Sequence, residues 1–197
     1  MARVRAVPEH EAGLLVRLAY RFSRRRFGKI AEPLTVTAHH PRLLVGYGVF
    51  ELALDRSHLV DNHLKELAAL KTAALVGCEF CIDIGSALAR HSGVTEQQLR
   101  DLSRYEACEA FTSVEKLVLS YAMEMTRTPA VVPQDLFDAL REYFDEAQLV
   151  ELTAAIALEN YRARFNHAFD IGSQGFSEGA YCAVFEKPAR HVQGVER

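Results

Sequence analysis

Long apolar runs are missing from this sequence, and nothing in it approaches the roughly 20 residues that a membrane span needs. The first residues, MARVRAVPEHEAG, hold no continuous apolar segment, so no secretory signal is expected there. Positive charge is not in excess. A net charge of −3 gives no global case for a nucleic-acid partner. Glycine and proline are sparse, at 11 and 6 in 197 residues, and 49% hydrophobic with 25% charged residues is the make-up of a globular protein. The length suits one domain with a sizeable core. These absences point to a cytoplasmic protein, in which reducing conditions disfavour structural disulfides.

What is present is helical periodicity almost throughout, with little strand alternation. Helices are expected over Glu9 to Phe27, Pro41 to Leu54, and from an N-cap at Ser57 to about Leu75. Gly77 interrupts the pattern, and another helix starts near Cys78 and ends before Gly93. Capping boxes at Thr95-x-x-Gln98 and Thr112-x-x-Glu115 open two more. Pro133 suits the first turn of a helix to Phe144, and Asp145-x-x-Gln148 caps a long last helix to about Asp170. The linkers are short, so the fold class is all-α: a helical bundle in one domain over 1–197. Its core spans about 39–172, with a turn-rich tail over 173–197 lying across the bundle surface.

Two further stretches carry charge or turn signals. The basic cluster Arg21, Arg24, Arg25, Arg26 and Lys29 reads as a solvated helix end with cations near the C-terminal dipole. The Gly172-Ser-Gln-Gly175 turn offers backbone N–H groups to an anion, although a helix C-cap explains it with less.

Cysteine is scarce, at four residues, but two of them form a C-x-x-C in GCEFCIDIGS. A tetrahedral zinc site needs four ligands, commonly a second C-x-x-C or an H-x₃₋₅-H pair. Cys108 and Cys182 are isolated and no such histidine pair follows, so no metal is expected. Residues i and i+3 of a helix lie about 5–6 Å apart, near enough for a first-turn pair to close into a disulfide with modest adjustment. The same first turn offers free N–H groups and a positive dipole end, which stabilise a thiolate. A redox dithiol at Cys78 and Cys81 is therefore preferred over two buried filler thiols.

A proton acceptor is suggested one helix earlier. On the helix from Ser57 the apolar stripe runs through Leu59, Leu67, Leu70 and Ala74; His63 and Glu66 fall inside it, and Asp61 and Lys65 outside. A carboxylate on a core-facing side needs a partner or a task, and partial burial raises its pKa as a general base requires. On the last helix the stripe Leu149, Leu152, Ile156 and Ala163 carries Asn160 and His167. Two polar groups on a buried face ask for a shared pocket, but for His167 a helix C-terminal role on the terminal carbonyls is preferred.

Glu66, eleven intervening residues and then Cys78-Glu-Phe-Cys81 resemble the carboxymuconolactone decarboxylase and alkylhydroperoxidase D (AhpD) superfamily. The match runs from about His39-His40-Pro41 to Arg90, and more loosely over Thr112 to Gly172. The resemblance implies an all-α fold assembled as a homo-oligomer, a trimer, hexamer or dimer. It implies a hydroperoxide reductase with no bound cofactor, re-reduced by an external dithiol such as a lipoylated or thioredoxin-like protein. Glu66 would be the relay base, Cys81 the thiol that meets the peroxide, and Cys78 the resolving thiol. Two positions depart from the pattern: Phe80 and Gly85 stand where the peroxidase branch carries histidines. The bare Gly85 leaves room that a histidine from elsewhere, His63 or His167, is expected to fill. A lactone decarboxylase or a non-enzymatic oligomeric redox-sensing protein are the competing readings, and the dithiol weighs against the decarboxylase.

Overall fold

Reciprocal capping boxes set where three of the helices begin. In a computed structural model, which describes residues 2–179 and 181–183, Thr95, Thr112 and Asp145 each accept from the N–H three residues on and are answered by Gln98, Glu115 and Gln148. They open α6 (Glu96–Asp101), α7 (Ser113–Thr126) and α9 (Glu146–Phe169). The other helices are α1 (Leu14–Phe27), α2 (Glu32–Thr37), α3 (Pro41–Arg56), α4 (Asn62–Val76), α5 (Glu79–His91) and α8 (Gln134–Arg141). A 3₁₀ segment over Leu102–Ala107 follows α6 directly. No strand occurs among the described residues.

Several boundaries differ from the sequence-based expectation, each for a local reason. The first helix begins at Leu14, because residues 9–11 form a turn that sends the Glu9 carboxylate to Arg24. The N-cap of α4 is Asp61, whose Oδ1 accepts from the His63 N–H at 2.9 Å. Ser57 ends α3 instead and donates to Glu151 Oε2 at 2.6 Å. Pro133 is the N-cap residue of α8 rather than its first turn, and α2, six residues long with proline near its start, is too short to show periodicity.

At the centre lies α4, packed against α5, α7 and α9. Because neighbours cover it on most sides, its buried positions include Lys65 and Lys71 as well as Leu67, Leu70 and Ala74. Lys65, expected outside the apolar stripe, is buried with its Nζ on Glu151 Oε1 at 2.5 Å and the Ser57 carbonyl at 2.6 Å. A one-sided stripe describes a surface helix, and α4 is not one.

Gly77 takes a left-handed conformation (φ 78°) and closes α4, as a C-cap glycine does. The chain then turns into α5, which runs back along α4. On the outside, α1 bares Leu14, Leu18 and Phe22 at i, i+4 and i+8, and α3 bares Val45, Val49 and Leu52. These are apolar ridges of a kind that monomers rarely leave uncovered.

Candidate active site

Cys78 is the N-cap residue of α5, with extended backbone (φ −80°, ψ 102°), so its sulfur faces the free N–H groups of the first turn. The Cys81 N–H donates to Cys78 Sγ at 3.2 Å. Asn166 of α9 reaches both thiols, with Nδ2 3.6 Å from Cys78 Sγ and 3.4 Å from Cys81 Sγ. The result is an asymmetric pair. The Cys78 pKa is lowered, first by the Cys81 thiol and then by Asn166 and the Cys81 N–H, against the opposing effect of burial. The Cys81 pKa is pushed up, by its hydrogen bond to Cys78, by burial and by Glu159. Sequence periodicity placed both cysteines at the helix start; in the structure Cys78 is the N-cap residue and Cys81 lies in the first turn.

Three acidic side chains and one cation gather beside the pair. Arg162, from the middle of α9, donates Nε to Glu51 Oε1 at 2.8 Å, a second nitrogen to Glu51 Oε2, and Nη1 to Glu159 Oε2 at 2.9 Å. The buried Glu159 interacts with the Cys81 thiol, while its Oε1 completes no hydrogen bond. Burial raises the Glu159 pKa, with Arg162 opposing and Glu51 reinforcing the rise. Tyr47 of α3 is half-buried beside Glu51 and Arg162, and its desolvation there raises its pKa. Glu66 on α4 feels the same group: burial pushes its pKa up to about 7, Glu159 adds to the rise, and Arg162 counters it. Glu66 is thus held near neutrality, as a general base needs to be.

The two histidines stand elsewhere. His63 lies at the far end of α4, with Nε2 on Glu115 Oε1 at 2.5 Å and Nδ1 3.2 Å from the Ser92 carbonyl. Fifteen residues of helical rise separate it from Cys78, roughly 20 Å. His167 is exposed, with Nε2 2.9 Å from the Val76 carbonyl. It is the preceding residue, Asn166, that faces the thiols. Nor does Gly85 leave room for a histidine, since a Cβ there would lie 3.1 Å from Leu70 Cδ2. The expected vacancy is filled by a leucine of α4.

Asn166, Glu159, Arg162, Glu51 and Tyr47 escaped the sequence reading. A signal for the first two existed. Leu149, Leu152, Ile156, Glu159, Ala163 and Asn166 follow alternating steps of three and four and are all buried, so Glu159 and Asn166 occupy the core stripe. Asn160, one residue round, instead donates to Thr126 Oγ1 at 3.2 Å.

On the other side of α5, Asp83 is buried and ionised. It accepts from Ser173 Oγ (2.8 Å), the Gln174 and Phe176 N–H groups (both 3.0 Å), and the N–H and Oγ of Ser177 (2.8 and 2.7 Å). Burial opposes its charge, yet these donors hold its pKa down at about 2. The turn after α9 therefore does cradle an anion, the protein's own, and the left-handed cap of α9 is Asp170 (φ 57°) rather than a glycine. Lys29 reinforces this clasp through the Gln174 carbonyl at 2.5 Å, with its ammonium 4.5 Å from the Phe176 ring centroid. The rest of the basic cluster is held at the surface, with Arg24 on Glu9 and Arg26 on Asp55. Phe176 in turn meets Phe80 edge-on at 5.8 Å, so the tail seals one flank of the C-x-x-C helix. Residue 180 and residues 184–197 of the expected tail lie outside the described residues.

Residues 45–124 match the model of the carboxymuconolactone decarboxylase family. The chain is 30% identical over 181 residues to the uncharacterised protein YnjA of Escherichia coli (strain K12), covering 91% of this chain and 97% of that one. In fold it is similar to the debrominase Bmp8 in its apo form, with a TM-score of 0.79 and 21% identity over 88% of this chain and 93% of Bmp8. It is also similar to an uncharacterised peroxidase-related protein with the alkylhydroperoxidase AhpD core from Ralstonia eutropha JMP134. That match has a TM-score of 0.78 and 16% identity over 89% of this chain and 94% of the other.

Proposed function

Because the chain belongs to the carboxymuconolactone decarboxylase family, within the AhpD-like superfamily, we propose that it is a dithiol oxidoreductase that reduces small hydroperoxides. The observation that carries this reading is the asymmetric pair itself. Cys78 receives donors from the Cys81 N–H and from Asn166, the arrangement that stabilises a nucleophilic thiolate. Its partner is three residues on, near enough to close a disulfide.

The nucleophile in this reading is Cys78, the reverse of the order that the family resemblance implies. The Cys78 thiolate attacks the distal peroxide oxygen; the O–O bond breaks, the alkoxide leaves and takes a proton as alcohol, and Cys78 becomes a sulfenic acid. The Cys81 sulfur then attacks the Cys78 sulfur, water leaves, and a disulfide remains. An external dithiol returns two electrons and two protons. Glu66 belongs to the acidic cluster that takes up and returns protons during this cycle. Cys78 and Cys81 are only 2% and 5% exposed, which favours a small electrophile over a bulky one.

A thiolate backed by a second thiol would equally accept bromine from a brominated ring, and the fold similarity to the debrominase Bmp8 makes that the competing substrate class. Turnover assays with tert-butyl hydroperoxide and with a bromopyrrole, each supplied with dihydrolipoamide or a thioredoxin system, separate the two. Hydroperoxide turnover lost by at least about 100-fold in Cys78→Ser supports the proposal. Bromide release without peroxide turnover replaces it, and an inert protein overturns it.

A further inference from the structure

The cluster beside the thiols contains a group with no assigned task. Glu159 is buried, only one of its oxygens is hydrogen-bonded, to Arg162, and the other completes no hydrogen bond next to the Cys81 thiol. An unsatisfied buried carboxyl oxygen is costly, and such groups persist where they have a chemical use. The resolving thiol has a matching need. Cys81 must lose its proton to attack the Cys78 sulfenic acid, and neither histidine is placed to take it. His63 is bound to Glu115, His167 is exposed on the Val76 carbonyl, and Leu70 fills the space beside Gly85.

We propose that Glu159 is the catalytic base for Cys81, with Arg162, anchored by Glu51, as the residue that positions it. This rests on the dithiol reading above. In the closing step Glu159 takes the S–H proton of Cys81 as the Cys81 sulfur bonds to Cys78, and hydroxide leaving Cys78 takes that proton and departs as water. No further oxidant is required, because the hydroperoxide has already accepted the two electrons.

The groups that face this carboxyl come from every helix around it. They are Arg162 on its own helix, Glu51 on α3, Glu66 on α4, and Cys78 and Cys81 on α5, with Tyr47 of α3 behind them on Glu51 and Arg162. One guanidinium serves Glu51 and Glu159 by direct hydrogen bonds and Glu66 by its field, so three ionised carboxyls would be two charges short of balance. Burial and that shortage together make Glu159 a stronger base than a free carboxylate.

The test separates the two chemical steps. After one equivalent of tert-butyl hydroperoxide, disulfide closure is followed by thiol loss across pH, and the sulfenic acid is trapped with dimedone. In Glu159→Gln, attack by Cys78 is expected to be no slower than in the wild type, since the carboxylate that opposes the Cys78 thiolate is gone, while closure slows roughly 100-fold, so trapped Cys78 sulfenic acid accumulates. Glu159→Asp, with the acid on a shorter arm, is expected to recover part of the closure rate. Closure in Glu159→Gln at the wild-type rate, with the wild-type pH profile, overturns the relay and leaves the dithiol reading standing. A wild type that forms no Cys78–Cys81 disulfide overturns both. Should the glutamine variant not fold, the infrared difference spectrum between the dithiol and disulfide forms of the wild type decides. A carboxylate band that shifts on closure, as the Cys81 S–H beside Glu159 is lost, and still shifts in Glu66→Gln supports the relay; absence of that shift overturns it.

Discussion

The two ends of the α4–α5 hairpin each hold a cluster of buried polar side chains, and they are built to opposite specifications. At the far end Glu115 accepts from the Thr112 N–H and hydroxyl, from Gln98 Nε2, and pairs with His63. Burial opposes its charge, but those donors outweigh it and its pKa is lowered. At the thiol end Glu159 keeps an unsatisfied oxygen, and burial raises the pKa of both Glu159 and Glu66. A saturated carboxylate fastens helices together. An under-donated one holds or gives a proton under mild conditions, and that separates scaffold from chemistry here.

Substitutions at the two ends should therefore fail in different ways. Replacing Glu115 by Ala leaves His63, Gln98 and the start of α7 without their shared acceptor. Chemical denaturation should show a loss of about 3 kcal/mol, the scale for breaking a buried, hydrogen-bonded charge pair. Peroxide-driven disulfide closure in the protein that remains folded should be unchanged. A parallel loss of closure would mean that the two ends are coupled.

Glu66 gives a pH signature. Its folded pKa of about 7 lies above the ordinary carboxyl value of 4.5, so the folded state favours the protonated form. Its stabilising contribution is complete below about pH 4.5 and fades as pH rises through about 7, with an upper bound of roughly 3 kcal/mol. Glu66→Gln should flatten the stability profile across that window when denaturation midpoints are compared from pH 4 to 8. An unchanged slope would assign the pH dependence to other groups.

The smallest effect concerns the missing family histidine. Gly85→His places a side chain against Leu70, with the Cβ already 3.1 Å from Leu70 Cδ2. Overpacking of this kind costs about 1–3 kcal/mol. The variant should be less stable and no faster with peroxide. A gain in rate without loss of stability would show that the site beside Gly85 is open after all.

How much of this was legible in the sequence follows from what each residue has to meet. The capping boxes at Thr95, Thr112 and Asp145 are local, and they marked three helix starts correctly. Helical periodicity already pointed to the all-α fold, and the Glu66 and C-x-x-C spacing brought the family into view. Depth was less legible. Lys65 is buried because Glu151, 86 residues away, comes to meet it, and no single-helix stripe foretells that. Glu159 and Asn166 could have been found by extending the Leu149–Leu152–Ile156 rhythm through charged and amide residues. Arg162 and Glu51 could not, because their pairing is tertiary, across 111 residues. Gly85 was misleading for a related reason: a missing side chain looks like space until the neighbour that fills it is known.

The order of the two thiols is the point on which the chemistry turns, and one measurement addresses it directly. Treat Cys81→Ser and Cys78→Ser with one equivalent of tert-butyl hydroperoxide, trap with dimedone, and map the modified residue by peptide mass. The donors around Cys78 Sγ predict a stable sulfenic acid on Cys78 in Cys81→Ser and little or none on Cys81 in Cys78→Ser. Sulfenic acid on Cys81 in Cys78→Ser, with Cys78 unmodified in Cys81→Ser, would contradict it.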